Sequence, residues 1–105
     1  LSKQTQASIG LMPLPELAGD IAVIDTKHAT RLASKPDLLL YDVADEPSMR
    51  AVGRLLWKQC LAAPHFAIGS SGVEYALGAH WRSVGLVPAE RARFPAVTPV
   101  KQLLV

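Results

Sequence analysis

Several things are scarce in this 105-residue chain. It has one cysteine, Cys60, so no internal disulfide framework is available. Charged residues are 19% of the chain, below the usual share of about 25%. Eleven Lys and Arg stand against nine Asp and Glu, a formal net charge of +2. That balance lacks the concentrated positive charge of a nucleic-acid-binding domain. No apolar run approaches the roughly 18 residues that a membrane-spanning helix needs. The first ten residues lack the charged, then apolar, then small-residue pattern of a secretory signal, so the cytoplasm is the expected location. There is no internal repeat and no low-complexity tract.

Apolar residues, by contrast, are plentiful. They make up 50% of the chain and the mean hydropathy is +0.21. This excludes intrinsic disorder. A domain of this size buries only about two-thirds of the surface its unfolded chain exposes. With so few charges to cover the rest, one face is expected to be covered by something outside this sequence. The chain starts at Leu1, not Met, and closes on Leu103-Leu104-Val105. The expectation is a piece of a longer protein.

The pattern along the chain alternates. Ser8 to Leu14 is short and apolar, ends in a turn at Pro13 and Pro15, and reads as a strand. Ile21 to Ser34 is open to two readings. Ile21-Ala22-Val23-Ile24 has the branching of a strand. Ile21, Ile24, His28 and Leu32 share one helical face, however, and Asp20 is a good N-cap, so a helix is predicted, stopped at Lys35-Pro36. Asp37 to Val43 holds the run Leu38-Leu39-Leu40-Tyr41, the signature of a strand buried on both faces of a parallel sheet. Asp45 is placed to cap the next helix, with Pro47 tolerated in its first turn. Met49, Val52, Leu55, Leu56 and Cys60 form its apolar stripe. Gly53, unfavourable within a helix, is expected to let that helix approach the sheet. Ala62-Ala63-Pro64 ends the helix. His65 to Ile68 reads as a third strand, running into Gly69-Ser70-Ser71-Gly72. A helix from Val73 to about Val84 comes next, with Val73, Ala76, Leu77, His80, Trp81 and Val84 inward.

The fold class that results is α/β, three-layer, with a parallel sheet of about three strands and flanking helices, a partial Rossmann-like domain. Gly85 to Pro99 is broken by Pro88, Pro95 and Pro99 and carries Arg91 and Arg93; it reads as a linker. Lys101 to Val105 reads as the opening of another strand. Charge is uneven: residues 1–50 carry 5 basic and 7 acidic groups, residues 51–105 carry 6 and 2.

The strongest local feature is Gly69-Ser70-Ser71-Gly72. It joins a strand end to a helix start. There, glycines allow tight backbone geometry, unpaired helical N–H groups point outward, and two hydroxyls add donors. Such a turn suits a carboxylate or a phosphate. The alternative is a tight turn in which a serine caps the helix. The turn lacks the spacing of a dinucleotide fingerprint, a Walker loop or a nucleophile elbow. Asp42 is the second candidate, at the end of the most apolar strand, where open α/β sheets place ligand contacts; the alternative is that Asp42 or Asp45 only caps the next turn and helix. His28, His65 and His80 have no metal-ligand spacing and read as packing residues. Cys60 reads as a small buried hydrophobe. Trp57 and Trp81 read as packing residues near helix ends.

In their order, Leu1-Ser2-Lys3-Gln4-Thr5, the strand Ile9 to Leu14, Leu40-Tyr41-Asp42-Val43 and Phe66-Ala67-Ile68-Gly69-Ser70-Ser71-Gly72-Val73-Glu74 resemble the four-carbon acid sugar kinase family. Its members are also labelled type III effector Hrp-dependent outer proteins. The resemblance covers about residues 1–84, the second half of the family's sugar-binding amino-terminal domain. It implies that 85–99 is a connector and 100–105 the start of the nucleotide-binding domain. It further implies a parent kinase that uses ATP and Mg²⁺ to phosphorylate a hydroxyl of a threonate, erythronate or oxo-tetronate. The implied partners are the small sugar acid and the remainder of the kinase chain, with no nucleic acid and no membrane. The family's Asp-Asp-x-Thr-Gly and Ser-Thr-x-Arg-Gly segments are absent, as is its Gly-Ser nucleotide loop. No catalytic residue can therefore be assigned, no cofactor is expected on this piece, and it is expected to be inactive alone. Only Gly69, Ser70, Ser71, Gly72 and Asp42 carry over, as substrate-binding residues. A non-catalytic α/β module holding a phosphate or carboxylate is the alternative function, and a pure interaction surface is a third.

Overall fold

A computed structural model describes residues 5–88. In chain order the elements are β1 (Ile9–Met12), a single 3₁₀ turn (Leu14–Glu16), α1 (Ile21–Ala33), β2 (Leu38–Tyr41), α2 (Glu46–Ala62) and α3 (Ser71–Ser83). β1 and β2 pair in parallel, Ile9 opposite Leu38 through Met12 opposite Tyr41. Parallel strands need a long crossover, and α1 supplies it. The register is pinned at its start by Ser8 and Asp37. The Asp37 carboxylate accepts from the Ser8 N–H at 2.7 Å and its hydroxyl at 2.8 Å, while Ser8 Oγ accepts from the Asp37 N–H at 3.0 Å. These bonds hold the Asp37 carboxyl below its ordinary range.

Of the two readings of residues 21–34, the helix is the one found, and its cap explains why. Asp20 accepts from the Ala22 N–H at 2.7 Å and satisfies a donor that has no partner within the helix. Ile24 and His28 turn inward and are buried. α2 starts on a reciprocal cap. Asp45 Oδ1 accepts from the Ser48 N–H at 2.9 Å, and the Asp45 N–H donates to Ser48 Oγ at 3.1 Å.

The core gathers Met12, Leu17, Ile24, Val52, Leu55 and Leu56, with Tyr41, Ala51, Val73 and Leu77 packed against it. Met12 and Tyr41 are register partners, so they share one face of the sheet. That face lies against α1 and α2. The two helices are clamped together by Asp25, which accepts from Arg54 at 2.6 Å and from Lys58 at 3.0 Å. α3 then packs on α2.

The α/β class and the parallel pairing stand, and five sequence expectations need correction. The described residues contain two strands. His65–Ile68 pairs with neither of them, and Phe66 and Ile68 are 87% and 81% exposed. Apolar character alone does not make a strand; the backbone needs an edge to bond to. β2 is not buried on both faces, because Leu38 and Leu40 are exposed and α1 and α2 lie on one side. The third layer is therefore not among the described residues. Gly53 does serve a close approach, but to α3: a Cβ there would run into the Ala76 carbonyl. Finally, Cys60 is exposed. It lies on the solvent side of the last turn of α2, and Leu61 beside it is exposed too. Val84, expected inward, lies just past the end of α3 and is also exposed. The expected strand at 100–105 and the linker beyond residue 88 lie outside the described residues.

Candidate functional site

The candidate residues lie in two places, Asp42 at the carboxyl end of β2 and Gly69–Gly72 at the amino end of α3. Asp42 follows β2 directly, and its N–H is spent on the Met12 carbonyl at 3.0 Å, which ends the strand pairing. Its side chain is exposed and takes no part in the helix cap that Asp45 forms. Of the two aspartates, then, Asp45 is the capping residue and Asp42 is left facing solvent.

Gly69, Ser70, Ser71 and Gly72 are all exposed, so neighbouring atoms do not fill this corner. Ser70 occupies the N-cap position of α3, but its side chain makes no capping hydrogen bond. The capping alternative is thus not what the structure shows, and the hydroxyl remains free of that task. Neither glycine uses the left-handed backbone; the glycines with positive φ are Gly19 and Gly85. The tight geometry expected of the turn is not the reason for Gly72. A Cβ there meets nothing within 4 Å. At Gly69 a Cβ would come within 2.6 Å of a methyl of Val73. The fold needs some room at Gly69 and none at Gly72, although glycine in a helix costs up to about 1 kcal/mol relative to alanine.

An open cavity of about 580 Å³ lies between the start of α2 and one face of α3. Val43, Ala44, Met49 and Ala79 give it apolar walls; Glu46, Tyr75 and Arg82 bring polar ends. None of the sequence-predicted residues lines the cavity; in sequence Asp42 precedes Val43, and Gly72 precedes Tyr75 by three positions. Sequence reasoning does not single out Tyr75, Ala79 and Arg82. Their spacing of four and three puts them on one helical face, away from the apolar stripe, and that spacing is the signal that could have found them.

Deeper in, His28 is buried. Its Nε2 lies 2.8 Å from the Tyr41 hydroxyl and 3.0 Å from Gln59 Nε2. Burial lowers the His28 pKa, with nearby Lys58, Arg54 and His65 acting in the same direction and Asp25 opposing them. Burial pushes Tyr41 up to about 12. The expected packing role of His28 and His80 stands, since both are buried. Trp57 and Trp81 form an edge-to-face pair with centroids 5.3 Å apart. Among the described residues no group of three His, Cys, Asp or Glu could hold a metal ion, and no helix is long and apolar enough to cross a membrane.

Comparison with known proteins gives this corner its context. Residues 1–77 match the family model of a sugar-binding N-terminal domain. The chain is 38% identical over 105 residues to a 3-oxo-isoapionate kinase of Paraburkholderia graminis. That match covers 98% of this chain and 21% of the kinase, so the chain spans about a fifth of its relative's length. No solved structure matches. The open corner thus lies within or next to the stretch that matches a sugar-binding domain, and the chain belongs to the four-carbon acid sugar kinase family as part of its amino-terminal region.

Proposed function

We propose that this chain is part of the sugar-acid-binding half of an ATP-dependent kinase. The parent enzyme phosphorylates a hydroxyl of a small sugar acid of the threonate, erythronate or oxo-tetronate type. The observation that carries this is the unspent corner at Gly69–Gly72, lying within a match to a sugar-binding domain. The relative's name supports the same class, since an isoapionate is a sugar-derived carboxylate.

Each group has a simple task. The first-turn amides of α3 and the hydroxyls of Ser70 and Ser71 hold the carboxylate, with the positive end of the helix behind them. Asp42 accepts from a sugar hydroxyl. Gly72 leaves room for the ligand to approach the backbone. ATP and Mg²⁺ belong to the remainder of the kinase chain and supply the transferred phosphoryl group and its charge neutralisation. Transfer of this kind depends mainly on positioning and electrostatics, so a piece that holds only the acceptor is inactive alone. The parent is a cytoplasmic enzyme that engages neither nucleic acid nor membrane.

The test is titration of the 105-residue chain with threonate, with erythronate and with Mg-ATP, monitored by amide NMR. The sugar acids are expected to shift the amides of Gly69–Gly72 and Asp42, and ATP is not. Tight ATP binding by this piece would overturn the assignment, and binding of inorganic phosphate in preference to sugar acids would favour the non-catalytic module. Gly72→Ala separates fold from function. It is expected to raise stability by up to about 1 kcal/mol, because no fold contact needs the glycine, while sugar-acid affinity falls. Unchanged affinity would remove Gly72 from the site.

A further inference from the structure

The parallel register puts Ile9, Leu11, Leu38 and Leu40 on the sheet face opposite Met12 and Tyr41. Met12 is fully buried under the helices, whereas Leu11, Leu38 and Leu40 are 45%, 45% and 46% exposed. One face of the sheet is therefore sealed, and the other is an aliphatic surface with no cover among the described residues. Parallel sheets are normally covered on both faces, because the crossovers between their strands place helices there. The curated relative matches nearly the whole of this chain, yet most of that protein lies outside the match.

We infer that the Ile9–Leu11–Leu38–Leu40 face is a docking surface for another part of the same longer polypeptide, a helix-bearing segment whose apolar side closes the sheet. The inference rests on the reading of the chain as a piece of a longer kinase. The occupant is favoured over a second copy of this chain by the strand direction: a parallel pair is completed by crossover helices of its own sheet. The unpaired segment Phe66–Ile68, exposed in the same way, fits a sheet that gains further members when the rest of the polypeptide is present.

Two measurements test this. In the first, the 105-residue chain is mixed with the Paraburkholderia graminis kinase lacking the segment aligned to it, and complex formation is read by light scattering. The wild-type chain is expected to form a one-to-one complex. The double substitution Leu11→Lys, Leu40→Lys is expected to weaken it at least tenfold with the helical circular dichroism retained. Leu61→Lys, at an exposed position on α2 outside this face, is expected to have no effect. A complex indifferent to the double substitution, or a homodimer of the chain that the double substitution dissolves, would overturn the inference.

In the second, Leu40→Cys is placed in a Cys60→Ser background, both in the 105-residue chain and in the full-length parent. A thiol reagent is expected to label the short chain at least tenfold faster, and equal rates would overturn the inference even if the truncated kinase does not fold. Complex formation or protection without ATP-dependent phosphorylation by the full-length parent would leave the docking surface standing and remove the kinase reading. The two failures are thus distinguishable.

Discussion

The two faces of the β1–β2 sheet are both mostly apolar and meet different fates. On one, Met12 and Tyr41 are shut in by Ile24 and His28 of α1 and by Leu55 and Gln59 of α2. On the other, Leu11 and Leu40 stand half exposed. Apolar character alone does not tell these faces apart, since both are mostly apolar. What differs is the partner: helices capped by Asp20 and Asp45 dock on one side, and no described element docks on the other. Hydrophobicity says that a side chain is to be buried; topology says whether the means of burial are at hand.

The largest expected effect lies at the α2–α3 contact on the sealed side. Gly53→Val forces a branched side chain into the Ala76 carbonyl and is expected to cost about 3 kcal/mol or to prevent folding, as chemical denaturation would show. A loss under about 1 kcal/mol would mean that α3 can move off α2, and the contrast between sealed and open regions would blur.

Next comes a matched pair of truncations. Leu55 is 1% exposed and Leu40 46%. Leu55→Ala is expected to cost about 3 kcal/mol by leaving a cavity. Leu40→Ala in the isolated chain is expected to stay within about 1 kcal/mol, since little of its surface is removed from water. Equal losses would show that the open face is covered within this chain.

The smallest effect is a pH dependence confined to the sealed side. Burial lowers the His28 pKa, so the unfolded chain binds a proton that the folded chain resists. Stability conferred by neutral His28 is complete above its unfolded pKa of about 6.5 and is lost as pH falls from there toward its lowered folded value. His80 shifts in the same direction and adds to this limb. His28→Gln is expected to flatten the part of the loss between pH 7 and 5 that belongs to His28, measured as denaturation midpoints. Tyr41 has the opposite sign. Its pKa is raised to about 12, so stability falls as pH rises from about 10 toward that value. An unaltered acid limb in the His28 variant would place the proton-sensitive group elsewhere.

How much could be read from the residues alone obeys the same division. The helices are legible because their signals are local: Asp20 and Asp45 announce starts, Lys35-Pro36 announces a stop, and Val52, Leu55 and Leu56 recur at helical spacing. The pairing of β1 with β2 comes from the helix between them. His65–Ile68 misleads because a strand is a relation between two segments, and no described segment pairs with it. Gly53 advertises a close approach without naming the partner, since a missing side chain carries no direction. Gly69–Gly72 and Asp42 are proposed from their position at element ends, and the structure leaves these residues exposed. Tyr75 and Arg82 escape notice because they lie off the apolar stripe.

Gly53 has one more consequence. Because α2 and α3 touch there through main-chain atoms, the separation of the two helices is gauged by a hydrogen atom and not by a side chain. Substitutions elsewhere along either helix can change its chemistry without resetting that gauge. The start of α3, with its serines and glycines, is thereby held at a constant offset from α2. The cavity residues Met49, Tyr75 and Arg82 can therefore change while the helix spacing that frames them stays the same.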